Sequence, residues 1–140
     1  MRDLMNNITP RVAIAPTVVT DNTALVGALI NRQGYDSLTY LIETGTLADV
    51  DATFAVTMTH GDASDGSDLA AVASTDLVGT LALAGFTFAN DGACFKVGYI
   101  GSKQYTKLTI TPTSNSGNAP IGAIALLGHP NIRPTANPPV

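Results

Sequence analysis

The octet SLTYLIET, residues 37–44, puts Leu38, Tyr40 and Ile42 on one side of an extended chain and Thr39, Leu41 and Glu43 on the other. That period of two marks a strand with one face buried and one face wet. TFAVTMTH, residues 53–60, repeats it with Phe54, Val56 and Met58 against Ala55, Thr57 and Thr59. Residues 45–51 between them read as a loop. Further apolar runs predict strands at 11–19, 24–31, 77–79, 81–88, 93–100, 105–112 and 121–127. Pro16 pushes the first of these toward an edge or a bulge, because proline cannot donate to a ladder. The second stops before the Gln33-Gly34 turn. GDASDGSD at 61–68 is a polar loop, and LAAVA at 69–73 is a short helical turn or a weak strand. Short β-rich runs separated by turn signals, with helix scarce, predict an all-β fold, a two-sheet sandwich or jelly-roll-like barrel of about eight or nine strands.

GYIGSKQYTKLTITPT, residues 98–113, raises a question of its own, since it holds two of the four tyrosines and two of the three lysines. It is either a basic, aromatic surface for nucleic acid or plain strand alternation. Gly101-Ser102 lies between two alternating runs, and glycine first in a two-residue loop supplies the positive φ of a type II′ hairpin. Phe95, Val97 and Tyr99 then face inward on one arm, and Thr106, Leu108 and Ile110 on the other. Lys96 and Lys107 fall on the far side, which predicts a solvated sheet face.

The ends lose the alternation. HPNIRPTANPPV, residues 129–140, has four prolines and reads as an extended tail. Residues 1–11 form an N-terminal arm, leaving 12–128 as the β-sandwich domain. Tails of this kind order when a partner ties them down. Leu4, Met5, Ile132 and Arg133 are therefore the candidate interface residues.

Charge sharpens this picture. Only 13% of residues are charged, against about 25% in an average soluble domain, so the surface is largely Ser, Thr, Asn and Gly. A surface so weakly charged suits a subunit that neighbours cover. Residues 36–91 hold eight Asp and one Glu with no Lys or Arg, whereas 92–140 hold Lys96, Lys103, Lys107 and Arg133 with no acid. These halves are matched to face each other within a sheet or across a subunit boundary. Four cations are too few for a nucleic-acid footprint, so no nucleic-acid partner is expected. The N-terminal apolar run is broken by Pro10 and Pro16, and no stretch reaches the length of a membrane span. The expectation is a soluble, unexported chain without a membrane partner.

The search for chemistry finds little. Histidine occurs only at His60 and His129, neither within a nucleophile motif. Asp62, Asp65 and Asp68 invite a calcium reading, but counting from Asp62 the sixth position is Ser67 and the twelfth Ala73, where an EF-hand needs Gly and Glu. Asp-driven turns account for this loop. The lone Cys94 reads as a small buried hydrophobe. Phosphate-cradling glycine loops are absent, so no enzyme, cofactor or metal is expected.

INRQGYDSLTYLIETGTLADVDATFAVTMTHGD, then GYIGSKQYTKLTITPT, then NAPIGAIALLGHP resembles a family of small proteins in the structural gene clusters of tailed bacteriophages and prophages. The likeness spans roughly residues 25–130 and implies a virion component without catalytic residues. Size and β content extend this to a capsid decoration (cement) protein on the outer surface of the capsid, with the major capsid protein and copies of itself, as a trimer, for partners. The competing expectations are a neck, tail or fibre-base component, and a receptor- or glycan-binding module using loop tips such as GDASDGSD.

Overall fold

A computed structural model of the chain describes residues 2–139; Met1 of the expected arm and Val140 of the expected tail lie outside them. The strands are β1 (Ile8–Val19), β2 (Leu25–Val26), β3 (Ile30–Asn31), β4 (Tyr35–Thr44), β5 (Thr53–Gly61), β6 (Ala70–Ala71), β7 (Leu77–Val78), β8 (Phe86–Thr87), β9 (Cys94–Tyr99), β10 (Tyr105–Thr113) and β11 (Ala119–Pro130). One helical turn, α1 (Leu81–Ala84), lies between β7 and β8. Two antiparallel sheets form, one in the order β1-β11-β4-β9-β7 and the other β2-β10-β5-β6, with β3 also pairing β10 and β8 pairing β5. The fold is thus the expected two-sheet sandwich.

The alternation read from the sequence faces the core. Leu38, Tyr40 and Ile42 of β4 meet Phe54, Val56 and Met58 of β5 and Leu108 and Ile110 of β10, all buried. Each such side chain withdrawn from water contributes on the order of 1.5–3 kcal/mol. Phe54, Phe86 and Phe95 stack in series, with centroids 4.8 and 5.4 Å apart. Tyr40 bridges the two sheets through a 2.7 Å hydrogen bond between its hydroxyl and Thr106 Oγ1. Burial pushes the Tyr40 phenol well above its ordinary value.

Four expectations change. The run 24–31 is not one strand but β2 and β3, separated where Gly27 comes so close to the Leu108 carbonyl that a side chain would clash. The run 81–88 splits into α1 and β8, because Thr80 caps the turn by accepting the Leu83 N–H at 3.1 Å. These short pieces raise the strand number above the expected eight or nine.

Third, β9 and β10 do not form a hairpin: β9 pairs β4 in one sheet and β10 pairs β5 in the other. Gly101 does not take the positive φ that a II′ turn demands. Residues 100–104 are instead a crossover between layers, clamped by Arg32, which donates from Nε to the Lys103 carbonyl and from Nη2 to the Gly101 carbonyl, both at 2.6 Å. Lys96 and Lys107 therefore sit on opposite outer faces and not together on one, as the hairpin reading had them.

Fourth, the ends meet each other. β1 begins at Ile8, inside the segment read as an arm, and β11 runs to Pro130, inside the segment read as a tail. Thr135 then donates its N–H to the Asn6 carbonyl at 3.1 Å and its hydroxyl to the Ile8 carbonyl at 2.7 Å. Tail and arm are tied together within one chain, where the sequence reading gave them order only against a partner.

Candidate functional site

The two outer faces of the sandwich differ in kind. Outside the β5–β10 pair, Thr57 lies opposite Thr109, Thr53 opposite Thr113 and Ala55 opposite Thr111. This face is rich in hydroxyl groups, with Lys107 beside Thr59 and the exposed Val26 of β2 beside Thr109. Outside the five-stranded sheet, strand register sets Val12 of β1 beside Ile124 of β11, Ile124 beside Leu41 of β4, and Leu41 beside Lys96 of β9. Val12 is 61% exposed, Ile124 43% and Leu41 36%. Side chains directly opposite on neighbouring strands lie about 5 Å apart, so the three make one continuous apolar ridge.

Hollows flank the ridge where the outward positions are small. Toward one end, Pro16, Val18, Pro120 and Gly122 border a depression of about 400 Å³. Toward the other, two hollows of about 370 and 340 Å³ share Ser37 and Thr39 as floor. The second of these reaches the chain ends, where Leu4 and Arg133 line it. The structure thus brings Leu4 and Arg133 to one groove continuous with the sheet face. Met5 contributes its carbonyl, which accepts the Thr135 hydroxyl at 3.4 Å, and its side chain is exposed. Ile132 is 81% exposed on the tail.

A polar corner occupies the crossover end. The Tyr99 hydroxyl accepts the Lys103 N–H at 3.1 Å and lies 2.8 Å from His60 Nδ1. The Arg32 guanidinium sits 5.2 Å above the Tyr99 ring. Burial raises the Tyr99 phenol above its ordinary range, with the Lys103 N–H working against it. Every member of this cluster is committed to another, which gives it the character of a clamp. Beside it, Gln104 Nε2 makes three long contacts, to Asn31 Oδ1 at 3.2 Å, Tyr105 Oη at 3.3 Å and Gln33 Oε1 at 3.4 Å.

The aspartates of GDASDGSD turn inward on their own loop. Asp68 accepts the N–H groups of Asp62 and Ala63, and Asp65 accepts that of Ser67. Asp62 takes the Lys103 ammonium at 2.7 Å and the Gln104 N–H at 3.2 Å. The Lys103 hydrogen bond is the main reason Asp62 lies below the ordinary carboxylate value, and Asp62 in turn raises Lys103. Here one acid of the chain's middle meets one cation of its end. Among the described residues no three His, Cys, Asp or Glu side chains come close enough to share a metal. Cys94 is exposed, not buried as its neighbours implied, because odd-numbered positions of β9 face the core and position 94 faces out beside Glu43.

Sequence reasoning missed the ridge for a specific reason. IGAIALLG is apolar throughout, so nothing in it marks Ile124 as an outward position; only the register with Val12 and Leu41 does.

No protein-family model matches the chain, and no curated protein does. Among solved structures, the Clostridium thermocellum endo-1,4-β-D-xylanase 10B CBM22-1–GH10 modules complexed with xylohexaose align with 12% identity and a TM-score of 0.47, over 95% of this chain. The chain spans 28% of the length of that protein.

Proposed function

We propose that the protein is a non-enzymatic structural subunit of a virus particle of the tailed-bacteriophage kind, docking on the assembled shell as a decoration protein. The observation that carries this reading is the ridge Val12–Ile124–Leu41, three large apolar side chains in register on one face of a sandwich whose other face is mostly threonine along β5 and β10, with Val26 exposed beside Thr109. Such asymmetry fits a slab that lies on another protein with one side and meets water with the other. The exposed Leu4, Met5 and Ile132 extend the apolar surface at the chain ends, and the sparse charge suits a covered subunit. A subunit that binds the shell and not its dissociated parts stabilises the shell by its binding free energy at each site it fills.

Purified particles carrying Ile124→Asp test it. A carboxylate in the centre of the covered ridge loses its water without gaining a partner, so occupancy on the shell falls while the isolated protein stays folded. Full occupancy of the variant overturns the reading. Copy number, from a stained gel of the same particles, separates a lattice subunit from a neck, tail or fibre-base component, which is present only a few times.

A glycan-binding reading has one observation in its favour. Gln104 Nε2 donates long, exchangeable hydrogen bonds to the side-chain oxygens of Asn31, Gln33 and Tyr105, and side-chain amides offer a donor and an acceptor to sugar hydroxyls. A glycan array that is positive for the protein and blank for Gln104→Ala would establish it.

A further inference from the structure

The two hollows that meet at Ser37 and Thr39 form a single trough crossing β7, β9, β4 and β11. Val78 and Ile100 bound it at one end and Leu126 and Leu4 at the other. At the usual strand spacing it runs about 15 Å before the chain ends extend it, the length of roughly five residues of extended polypeptide. Glycine keeps it open. A side chain at Gly128 would press on Ser37 Oγ at 2.7 Å, and one at Gly98 would stand 3.1 Å from Val78 Cβ.

The electrostatics of the trough run against those of the molecule. The chain carries a net charge of −4, yet no Asp or Glu lines either hollow, while Lys96 lines one and Arg133 the other. Neither forms a salt bridge within the described residues. Two unpaired cations beside an apolar floor with hydroxyl groups fit an anionic occupant with apolar side chains between its charges.

We propose that the trough receives an extended acidic segment of a partner protein, with small apolar side chains seated over Gly98 and Gly128 and a carboxylate at each end paired to Lys96 and Arg133. This rests on the docking reading above and names the chemistry of what docks. A segment lying across the strands is held by its side chains and end charges, since the sheet's backbone groups are engaged in its own ladders.

Fluorescence anisotropy with a labelled, capped hexapeptide bearing aspartate at both ends and valine and threonine between tests it, against the same peptide with lysine ends. The aspartate peptide binds, more weakly as salt is added, and the double variant K96E/R133E, altered only at exposed positions, loses about tenfold in affinity and turns to the lysine peptide. Equal binding of both peptides, binding of neither, or indifference to K96E/R133E overturns the proposal. If K96E/R133E changes the oligomeric state of the free protein and leaves peptide binding alone, the trough belongs to a second copy and the proposal falls. Ile124→Asp, read on particles, reports the docking face separately. A shell-binding defect there with normal K96E/R133E removes the acidic segment and leaves the docking reading standing.

Discussion

Tyr40 carries a hydroxyl into the middle of the sandwich, where Thr106 Oγ1 at 2.7 Å is its partner. A buried polar group without a partner costs about 1–3 kcal/mol, whereas replacing both members by apolar groups of similar shape is nearly neutral. Tyr40→Phe and Thr106→Val should each lower stability within that range, and the double variant should lose less than the two losses added. Urea unfolding of the four proteins checks this, and strict additivity would contradict the bond. At the same scale Ile124 shows how position outranks type. Its neighbours Ala123 and Ala125 are buried, and it alone of the three points outward.

Among the elements, the link between β9 and β10 has the largest effect on architecture. A glycine-serine pair between two alternating runs has the composition of a hairpin turn, yet the chain changes sheet there. Arg32, far away in sequence, satisfies two carbonyls of the crossover, and Tyr99 takes the Lys103 N–H. Hydrogen bonds to a charged donor are worth about 1.5–3 kcal/mol each, and the two here share one side chain. Arg32→Met, which keeps the aliphatic stem, should therefore destabilise the protein by about 2–4 kcal/mol. Arg32→Lys should recover only part of this, because a single ammonium cannot reproduce the planar fork. A denaturation midpoint for Arg32→Met equal to that of the parent would show the clamp to be idle.

Over the whole molecule, acid should weaken the fold through its loops. Asp3, Asp21, Asp49, Asp62, Asp65 and Asp68 are all held below their ordinary value of 3.8, chiefly by hydrogen bonds to backbone N–H groups and, for Asp62, by Lys103. A carboxyl that ionises more readily folded than unfolded stabilises the native state above its unfolded value, and that contribution fades as pH falls through the lower folded one. Stability should thus hold down to about pH 4 and decline below it. Lys103 acts with the opposite sign: its raised value stabilises the fold below 10.5, and that contribution is lost as pH climbs through the folded value. Asp68→Asn should be less stable than the parent at neutral pH and should lose less on acidification, a comparison made by thermal unfolding across the acid range. Parallel curves for the two proteins would show that the loop carboxylate is not involved.

Period-two hydrophobicity by itself determined that this chain is all β, and which side of each main strand lies inside: Leu38, Tyr40, Ile42, Phe54, Val56, Met58, Leu108 and Ile110 are buried as the alternation reads. Burial of apolar area acts on each strand separately, so a local pattern is enough to reveal it. The candidate site was legible only in part. Leu4, Met5, Ile132 and Arg133 could be named from the irregular ends, and of these Leu4 and Arg133 line one hollow; the ridge and the trough could not be read, because each is made by strands distant in sequence. Which strands became neighbours was decided only in the tertiary structure, where Arg32 turned an apparent hairpin into a crossover. The same packing set Val12, Ile124 and Leu41 side by side and tied Thr135 back to the N-terminal segment, since cross-strand register is a property of the pairing and not of any one strand.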